Sequence, residues 1–269
     1  MALSLASPTQ VAARIAAAHE ISFGSYFVPA AIRDALVAAA RRGAHVELTL
    51  EKAPYEDPTG SLARLNASTA TALRAAGAEV HLLSDDAAPY HIKAAICDGV
   101  AYLNDRNWPA HDGTILADDD PADVALVREA IAGRGGADGT LATRKDVAVQ
   151  REAALIEGAK DVPVVVATES FGAGAISAAL RAHAAAGAST TLIVNRQHAN
   201  PALLAGLERA GVVVRNSVAN EKLVLAGDAV WIGSANATYA GGEEAAQTDW
   251  GLVTRDPALV AAVRGRLLA

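Results

Sequence analysis

Two stretches of the sequence follow the same pattern of residues, and this pattern decides which fold the sequence predicts. The first is HIKAAICDGVAYLNDRNW, residues 91–108, and the second is NEKLVLAGDAVWIGSANAT, residues 220–238. In each, a polar residue stands two positions before a lysine. An apolar run, a turn containing Asp and Gly, a second apolar run and a polar loop with an asparagine follow. Because residues two apart on an extended chain face the same side, each stretch predicts two short strands that project the polar residue and the lysine together.

The segments that precede these stretches are also repeated. Each half has a helix, an apolar strand, an alanine-rich helix, a second strand, and a helix closed by Ala-Gly that leads into a further strand. The corresponding pairs are 8–18 and 148–158, the strands ending at 25–27 and 169–171, 32–44 and 176–188, 45–50 and 189–194, and 71–83 and 203–215. Such alternation is typical of sheets with crossover helices, and a period this long indicates a duplicated domain rather than a solenoid.

We therefore predict an α/β protein of two similar α/β/α halves, packed with pseudo-twofold symmetry, each with a mixed sheet flanked by helices. The glycine-rich segment GRGGADGT, residues 133–140, is the expected joint. The predicted domains are residues 1–134 and 135–269. A single site at the seam is the economical arrangement for two halves that are so alike.

The first quoted stretch resembles one copy of the motif H-x-K-x4-D, usually followed by G-S-x-N, that is duplicated in the phospholipase D superfamily. His91, Lys93, Asp98 and Asn107 match that motif. The stretch departs from it at Asn104-Asp105, where Gly-Ser is usual. With the repeated scaffold included, the resemblance covers nearly the whole chain.

The second stretch is similar to the other copy of the motif. Lys222, Gly233, Ser234 and Asn236 match it, but Asn220 stands where the second histidine is expected. An asparagine can donate and accept hydrogen bonds, but it does not titrate near neutrality. It can therefore position a phosphate oxygen and cannot protonate a leaving alkoxide.

The resemblance implies a metal-independent reaction without a cofactor. An imidazole attacks phosphorus and gives a phosphohistidine, while lysines and amides from both halves hold the phosphoryl oxygens. The nucleophile is expected to be His91, and the oxygens are expected to contact Lys93, Lys222, Asn107, Ser234 and Asn236. Asp105 and Arg106, in the first motif's loop, are further candidates for substrate binding.

Family members also carry an acid downstream of each motif. Asp249 in QTDWGLV and Asp112 in HDGTIL are the matching candidates here. A carboxylate of this kind orients the second ring nitrogen of a nucleophilic histidine. Both aspartates stay open as the partner of His91. Asp98, in contrast, is expected to be structural, as a turn former.

Three explanations of Asn220 stand side by side. The change was introduced to trap a substrate; or it is natural and another group replaces the histidine, His198 being the nearest candidate; or the chain binds a phosphodiester without cleaving it. Loss of a general acid costs about 10²–10⁴-fold in rate. The leading prediction is a phosphodiesterase of impaired activity. The alternatives are a silent binding module and a phospholipase or phosphatidyltransferase.

Composition narrows the substrate and the location. The formal charge of −7 argues against broad attachment to nucleic acid but permits a small basic cleft. The sequence has no apolar run long enough for a membrane span, and its only cysteine is Cys97. The N-terminal residues are expected to form a helix of the mature protein and not a signal peptide. We therefore predict a cytoplasmic monomer or homodimer acting on nucleic acid or a nucleotide-like diester, with lipid a weaker candidate.

Overall fold

The computed structural model describes residues 3–54, 57, 59–83, 90–108, 113–218 and 220–268, with the backbone alone for Glu243. The predicted candidate Asp112 lies outside the described residues. The elements of the first half are β1 Ser4–Ala6, α1 Pro8–Ala17, β2 Glu20–Ser25, α2 Ala30–Arg41, β3 His45–Glu51, α3 Ser61–Ala75, β4 Glu79–Leu83, β5 Ala94–Cys97, β6 Val100–Asn104, β7 Ile115–Asp118 and α4 Pro121–Ile131.

The second half repeats this order of elements. They are β8 Ala137–Asp138, β9 Leu141–Ala142, α5 Lys145–Gly158, β10 Val164–Thr168, α6 Ala175–Ala185, β11 Thr190–Val194, α7 Pro201–Arg209, β12 Val213–Asn216, β13 Leu223–Ala226, β14 Ala229–Gly233, β15 Gly251–Thr254 and α8 Pro257–Leu268. Two 3₁₀ turns, Arg196–His198 and Gly242–Ala246, complete the described part of the chain.

The two sheets have matching topology. The first has the order β1-β7-β6-β5-β2-β3-β4, and the second has the order β12-β11-β10-β13-β14-β15-β9-β8. In both, three parallel strands joined by crossover helices continue into an antiparallel meander. Even the strand before the first helix of each half pairs with the corresponding meander strand, β1 with β7 and β9 with β15. The predicted duplicated α/β fold is confirmed.

Local sequence rules account for the first helix. The side chain of Ser7 accepts a hydrogen bond from the Gln10 backbone N–H, and the Gln10 side chain accepts one from the Ser7 N–H. This reciprocal pair is a capping box, and Pro8 follows at the first helical position. The buried face of the helix is formed by Val11 and Ile15, four residues apart.

A shared core joins the halves. One cluster of buried apolar side chains takes residues from β5, β6, β10, β13, β14 and β15 together with α4 and α8, so it draws on both sheets. Two further clusters lie on the outer faces, one under α1, α2 and α3 and the other under α5, α6 and α7. The chain passes from one sheet to the other between α4 and β8, and the domain boundary near Gly135 stays a prediction.

The pairing of the strands shows that the sequence alignment of the two halves is wrong by one residue at one place. The sequence repeat pairs Tyr26 with Ser170. On the sheets, however, the residue after each motif lysine pairs with Gly24 in the first half and with Ala167 in the second. Two positions further along each chain, Tyr26 therefore corresponds to Glu169. The sequence pattern missed this shift because both strands end in small or polar residues that fit either register.

The motif residues do not lie inside the strands. His91 and Lys93 form an extended segment just before β5, and Asn220 and Lys222 do the same before β13. The ladder nevertheless continues by one bond, because the backbone N–H of Asn104 donates to Lys93 O at 2.9 Å. Polar side chains at the sheet ends thus keep the two-residue alternation that the sequence predicted.

Within the described part of the chain, none of the helices has both the length and the apolar character needed to cross a bilayer.

Candidate active site

A polar cavity of about 420 Å³ lies where the ends of the two sheets meet. Both halves line it. The lining residues are Tyr26, His91, Lys93, Asp105, Arg106, Asn107, Glu169, Ser170, His198, Asn220, Lys222 and Asn236. The predicted site residues among the described ones all belong to this set, except Asp249 and Ser234, which lie behind the wall.

His91 is held from several sides. Its ring Nδ1 lies 2.9 Å from Oδ1 of Asp249, a contact that crosses from one half to the other. Its backbone N–H donates to Oγ1 of Thr248 at 3.0 Å, which is a second link to the same loop. The ring of Tyr26 meets the imidazole edge to face, with centroids 5.2 Å apart. The imidazole is therefore fixed in position, with 14% of its side chain exposed at the cavity.

The tautomer of His91 decides its chemistry. Nδ1 also lies 2.6 Å from Nζ of Lys93, and a ring nitrogen cannot donate to Asp249 and accept from Lys93 at once. With the proton on Nδ1, the carboxylate of Asp249 accepts it and Nε2 carries the lone pair needed for attack on phosphorus. With the lone pair on Nδ1, Lys93 donates to it and Nε2 is protonated. Asp249 thus favours the nucleophilic tautomer.

Electrostatics keep His91 neutral and Asp249 charged. Burial lowers the pKa of His91 below its ordinary value of 6.5, and Lys93 and Lys222 lower it further, whereas Asp249 raises it. Burial alone would raise the pKa of Asp249, but the interaction with His91, which includes a hydrogen bond, and the charge of Lys93 outweigh burial and lower it. A neutral imidazole beside a carboxylate is the arrangement that a nucleophile requires.

Ser234 supports the carboxylate. Its hydroxyl donates to Oδ1 of Asp249 at 2.8 Å and accepts from the backbone N–H of Trp250 at 3.1 Å. Ser234 is predicted to bind substrate. In the structure its side chain is fully buried behind the cavity wall and holds Asp249 in place. By the sheet register, Gly113 occupies the position in the first half that Asp249 has in the second.

The second half presents a different set of groups around its lysine. Nζ of Lys222 donates to Oδ1 of Asn220 and lies 3.4 Å from Oε2 of Glu169. Burial lowers the pKa of Lys222, although the carboxylates of Glu169 and Asp105 oppose that effect. Glu169 thus stands beside Asn220 and Lys222 as Tyr26 stands beside His91.

Asp105 occupies the position that Ser234 has in the other half. Its carboxylate accepts from the backbone N–H of Thr114 at 3.0 Å, as the Ser234 hydroxyl accepts from Trp250. The same carboxylate accepts from Nε of Arg106 at 3.1 Å. Burial raises the pKa of Asp105, and the adjacent guanidinium opposes that rise. The departure from Gly-Ser in the first motif therefore replaces a hydroxyl by an ion pair in the cavity wall.

Two asparagines, one from each half, complete the polar wall. Oδ1 of Asn236 accepts from the backbone N–H of Ser170 at 3.3 Å, which leaves the amide nitrogen as its remaining donor group. Oδ1 of Asn107 is buried and has no hydrogen-bond partner among the described residues. The amides stand at equivalent positions after β6 and β14, as the duplicated motif predicts.

Other predicted residues take structural places. Asp98 lies at a turn with φ of 48°, and its carboxylate accepts from the backbone N–H groups of His19 and Glu20, both at 2.9 Å. These bonds lower its pKa, the one from Glu20 most. His198, the candidate stand-in, lies in the cavity wall on an exposed 3₁₀ turn. Among the described residues, no group of three or more His, Cys, Asp or Glu side chains could hold a metal ion.

Sequence reasoning did not find Tyr26, Glu169 and Thr248. The first two directly follow β2 and β10, the parallel strands that pair with the antiparallel part of each sheet, and the carboxyl ends of such strands commonly collect functional side chains in α/β proteins. That topological rule is the signal that could have found them. Thr248 immediately precedes Asp249, and its role depends on a contact between halves that no local pattern encodes.

Two solved structures share this fold over nearly the whole chain. Polyphosphate kinase from Porphyromonas gingivalis matches 99% of the chain with a TM-score of 0.72 and 17% identity. Phosphatidylserine synthase from Haemophilus influenzae Rd matches 98% of it with a TM-score of 0.70 and 10% identity. The chain spans 46% of the kinase and 85% of the synthase. Nuc from Salmonella typhimurium, a phospholipase D family member, matches 44% of the chain at 19% identity, with a TM-score of 0.39.

Neither the family models nor the curated protein sequences include a match to this chain.

Proposed function

This chain has a duplicated phospholipase-D-like fold, and from that premise we propose that it is a phosphoryl-transfer enzyme that cleaves phosphodiesters. His91 is the nucleophile, and the reaction passes through a phosphohistidine. One observation carries the proposal: a single cavity, built from both halves, is lined by an oriented imidazole and two buried lysines, one from each half.

The contacts in the cavity assign the parts of the reaction. Asp249 holds the proton on Nδ1 of His91, so Nε2 attacks phosphorus. Lys93 and Lys222 come from opposite halves and can neutralise the charge that develops on the equatorial oxygens. The amide groups of Asn107 and Asn236 can hold the same oxygens. The bond from phosphorus to the leaving oxygen breaks as the bond from phosphorus to nitrogen forms.

The charges around the cavity favour a diester. Among the described residues that line or back it, three cations face three carboxylates. The cations are Lys93, Lys222 and Arg106, and the carboxylates are Asp105, Glu169 and Asp249. A phosphodiester carries one negative charge, whereas a phosphate monoester carries up to two and a polyphosphate accumulates one on each of its successive phosphate groups. Because the positive and negative charges around the cavity nearly cancel, the cavity suits the singly charged diester better than a more highly charged phosphate compound.

A nucleic acid or nucleotide-like diester is the proposed substrate class. The net charge of −7 disfavours long duplexes and is compatible with a short strand or a nucleotide. Arg106 in the cavity wall is available to the substrate if it exchanges Asp105 for a phosphate oxygen. The phosphatidylserine synthase match keeps a lipid diester as the competing substrate, since phosphatidylserine is itself a phosphodiester.

The second candidate function is a module that binds a diester without cleaving it. Asn220 favours it, because the position expected to protonate the leaving group holds an amide that accepts from Lys222. The ion pair of Asp105 and Arg106 in place of the usual Gly-Ser adds to this. The enzyme would form a covalent adduct on His91 and the binding module would not, so this adduct distinguishes the two candidate functions.

The test is intact-mass measurement after incubation with bis(4-nitrophenyl) phosphate, whose leaving group departs without a general acid. We expect one aryl phosphoryl group per chain, slowly resolved, and its absence in His91→Asn. Asn220→His is expected to resolve the adduct faster than the parent, because it restores the histidine that the motif usually carries.

Binding without turnover would support the module. If neither the chain nor Asn220→His acquires the adduct, while both bind a dinucleotide in a phosphate-dependent way, the enzyme proposal is wrong. A dinucleotide and a short-chain phosphatidylserine, compared as substrates of Asn220→His, separate the nucleotide class from the lipid class.

A further inference from the structure

The cavity contains one acid whose place in the fold is equivalent to an aromatic residue in the other half. Glu169 follows β10 where Tyr26 follows β2, and both line the cavity. Tyr26 packs against the His91 ring, with centroids 5.2 Å apart. Glu169 instead places a carboxylate 3.4 Å from Nζ of Lys222, next to Asn220. A titratable group therefore stands beside the position from which the expected histidine is missing.

We infer that Glu169 serves as the general acid and base of the reaction in place of that histidine. The inference rests on the proposed function and names the residue that completes it. In-line displacement puts the leaving oxygen on the side of phosphorus opposite the attacking nitrogen. Both motif loops line one cavity, so we place the leaving oxygen toward Asn220, Lys222 and Glu169, on the side of the other half.

Substrate binding prepares the acid. The carboxylate of Glu169 contacts Lys222, and a phosphate oxygen that binds Lys222 takes over that contact. That exchange frees the carboxyl group of Glu169 from its ion pair while it stays beside the phosphoryl group. The side chain of Glu169 is 31% exposed, so water at the cavity can supply the proton.

The reaction has two chemical steps, and atoms and protons are conserved in each. In the first, Nε2 of His91 bonds to phosphorus, the bond to the leaving oxygen breaks, and the carboxyl proton of Glu169 passes to that oxygen. The products are an alcohol, a phosphohistidine and a Glu169 carboxylate. In the second, water bonds to phosphorus and gives its proton to Glu169 while the bond from phosphorus to nitrogen breaks. The enzyme returns to its starting state with one water consumed.

His198 is the competing candidate because it lies in the same wall. It is exposed and sits on a 3₁₀ turn after β11, whereas Glu169 is half-buried and contacts the lysine that would bind the phosphoryl group. A second competing interpretation is that Glu169 only neutralises Lys222. In that case its removal would strengthen substrate binding and leave the chemical steps unchanged.

The experiment compares two substrates that differ in their leaving group, bis(4-nitrophenyl) phosphate and diphenyl phosphate. Glu169→Gln is expected to release about one nitrophenol per chain from the first, to accumulate the phosphohistidine, and to turn over about 10²–10⁴-fold more slowly than the parent. It is expected to give no burst with diphenyl phosphate, because phenol needs a proton to leave. Adding Asn220→His to Glu169→Gln is expected to restore turnover.

The matched control is Glu129→Gln, which makes the same chemical change on α4. Glu129 forms an exposed ion pair with Arg134, so this variant should behave as the parent. The inference alone fails if the parent forms and resolves the adduct and Glu169→Gln does likewise, or if it shows only a lower KM. It also fails if His198→Gln gives the burst and the trapped adduct instead. If the parent and Asn220→His both form no adduct, the proposed function fails and this inference fails with it.

Discussion

Among single residues, His91 matters most, because its imidazole can attack phosphorus only in one charge state and one tautomer. His91 must be neutral to attack, and burial together with two lysines lowers its pKa below 6.5. Activity is therefore expected to fall as the pH drops through that lowered pKa. The carboxylate of Asp249 works in the opposite direction and raises the pKa of His91.

Two substitutions should move the acid limb of the pH profile in opposite directions. Asp249→Asn removes the charge that raises the pKa of His91, so the limb moves to lower pH, and the rate falls because the nucleophilic tautomer is no longer favoured. Lys222→Met removes a charge that lowers the pKa, so the limb moves to higher pH. The measurement is the rate of nitrophenol release from bis(4-nitrophenyl) phosphate between pH 4 and 8. If the acid limb moved in the same direction in both variants, the assigned contacts would be contradicted.

The sequence predicted much of the site at this scale, and the reason is physical. The two-residue alternation of extended chains places His91 with Lys93 and Asn220 with Lys222 without any knowledge of the fold. It could not separate Asp249 from Asp112 as the partner of His91, since that contact joins loops of different halves. The structure records the bond to Asp249, while Asp112 lies outside the described residues.

At the scale of elements, the strand pair β14–β15 depends on a residue without a side chain. A Cβ on Gly233 would lie 2.5 Å from the Trp250 carbonyl oxygen and 2.6 Å from the Trp231 ring. Gly233 therefore allows a buried indole to lie across the ladder just before Ser234. This close approach explains why the second motif has Gly-Ser, although the motif alone gave no reason for it.

Gly233→Ala is expected to lower the free energy of unfolding by about 1–3 kcal/mol, the usual cost of overpacking a buried position. The control is Gly158→Ala at the end of α5, where the added methyl group meets no atom within 4 Å. That change should be neutral or stabilise by up to about 1 kcal/mol, because alanine favours the helix. Urea unfolding monitored by circular dichroism measures both. Equal stability of the two variants would contradict the described packing.

Elements were easier to predict from sequence than their register. Alanine-rich amphipathic segments and the Ser7 capping box predicted α1, α2 and α6 to within about three residues at each end, since these signals are local. The offset between Tyr26 and Glu169 was missed, because both strands end without an apolar alternation that could fix the alignment. That one-residue difference is what brings Glu169 to Lys222.

At the scale of the whole molecule, the halves share one core and should unfold together. The cluster that includes Trp250 and Leu252 draws side chains from both sheets. Leu252→Ala is expected to lower stability by about 2–5 kcal/mol as sensed from either half. Single-tryptophan versions that retain Trp108 or Trp231 report from the outer cores of the first and second half, respectively. Separate unfolding midpoints, or a shift sensed by Trp231 alone, would contradict a shared core.

The most direct test of the central claim is a crystal structure of the chain soaked with orthovanadate, which imitates a phosphoryl group under attack. We predict vanadium bonded to Nε2 of His91, with vanadate oxygens accepting from Lys93 of one half and Lys222 of the other. Vanadate bound elsewhere, or held by one half while His91 stays unmodified, would contradict it.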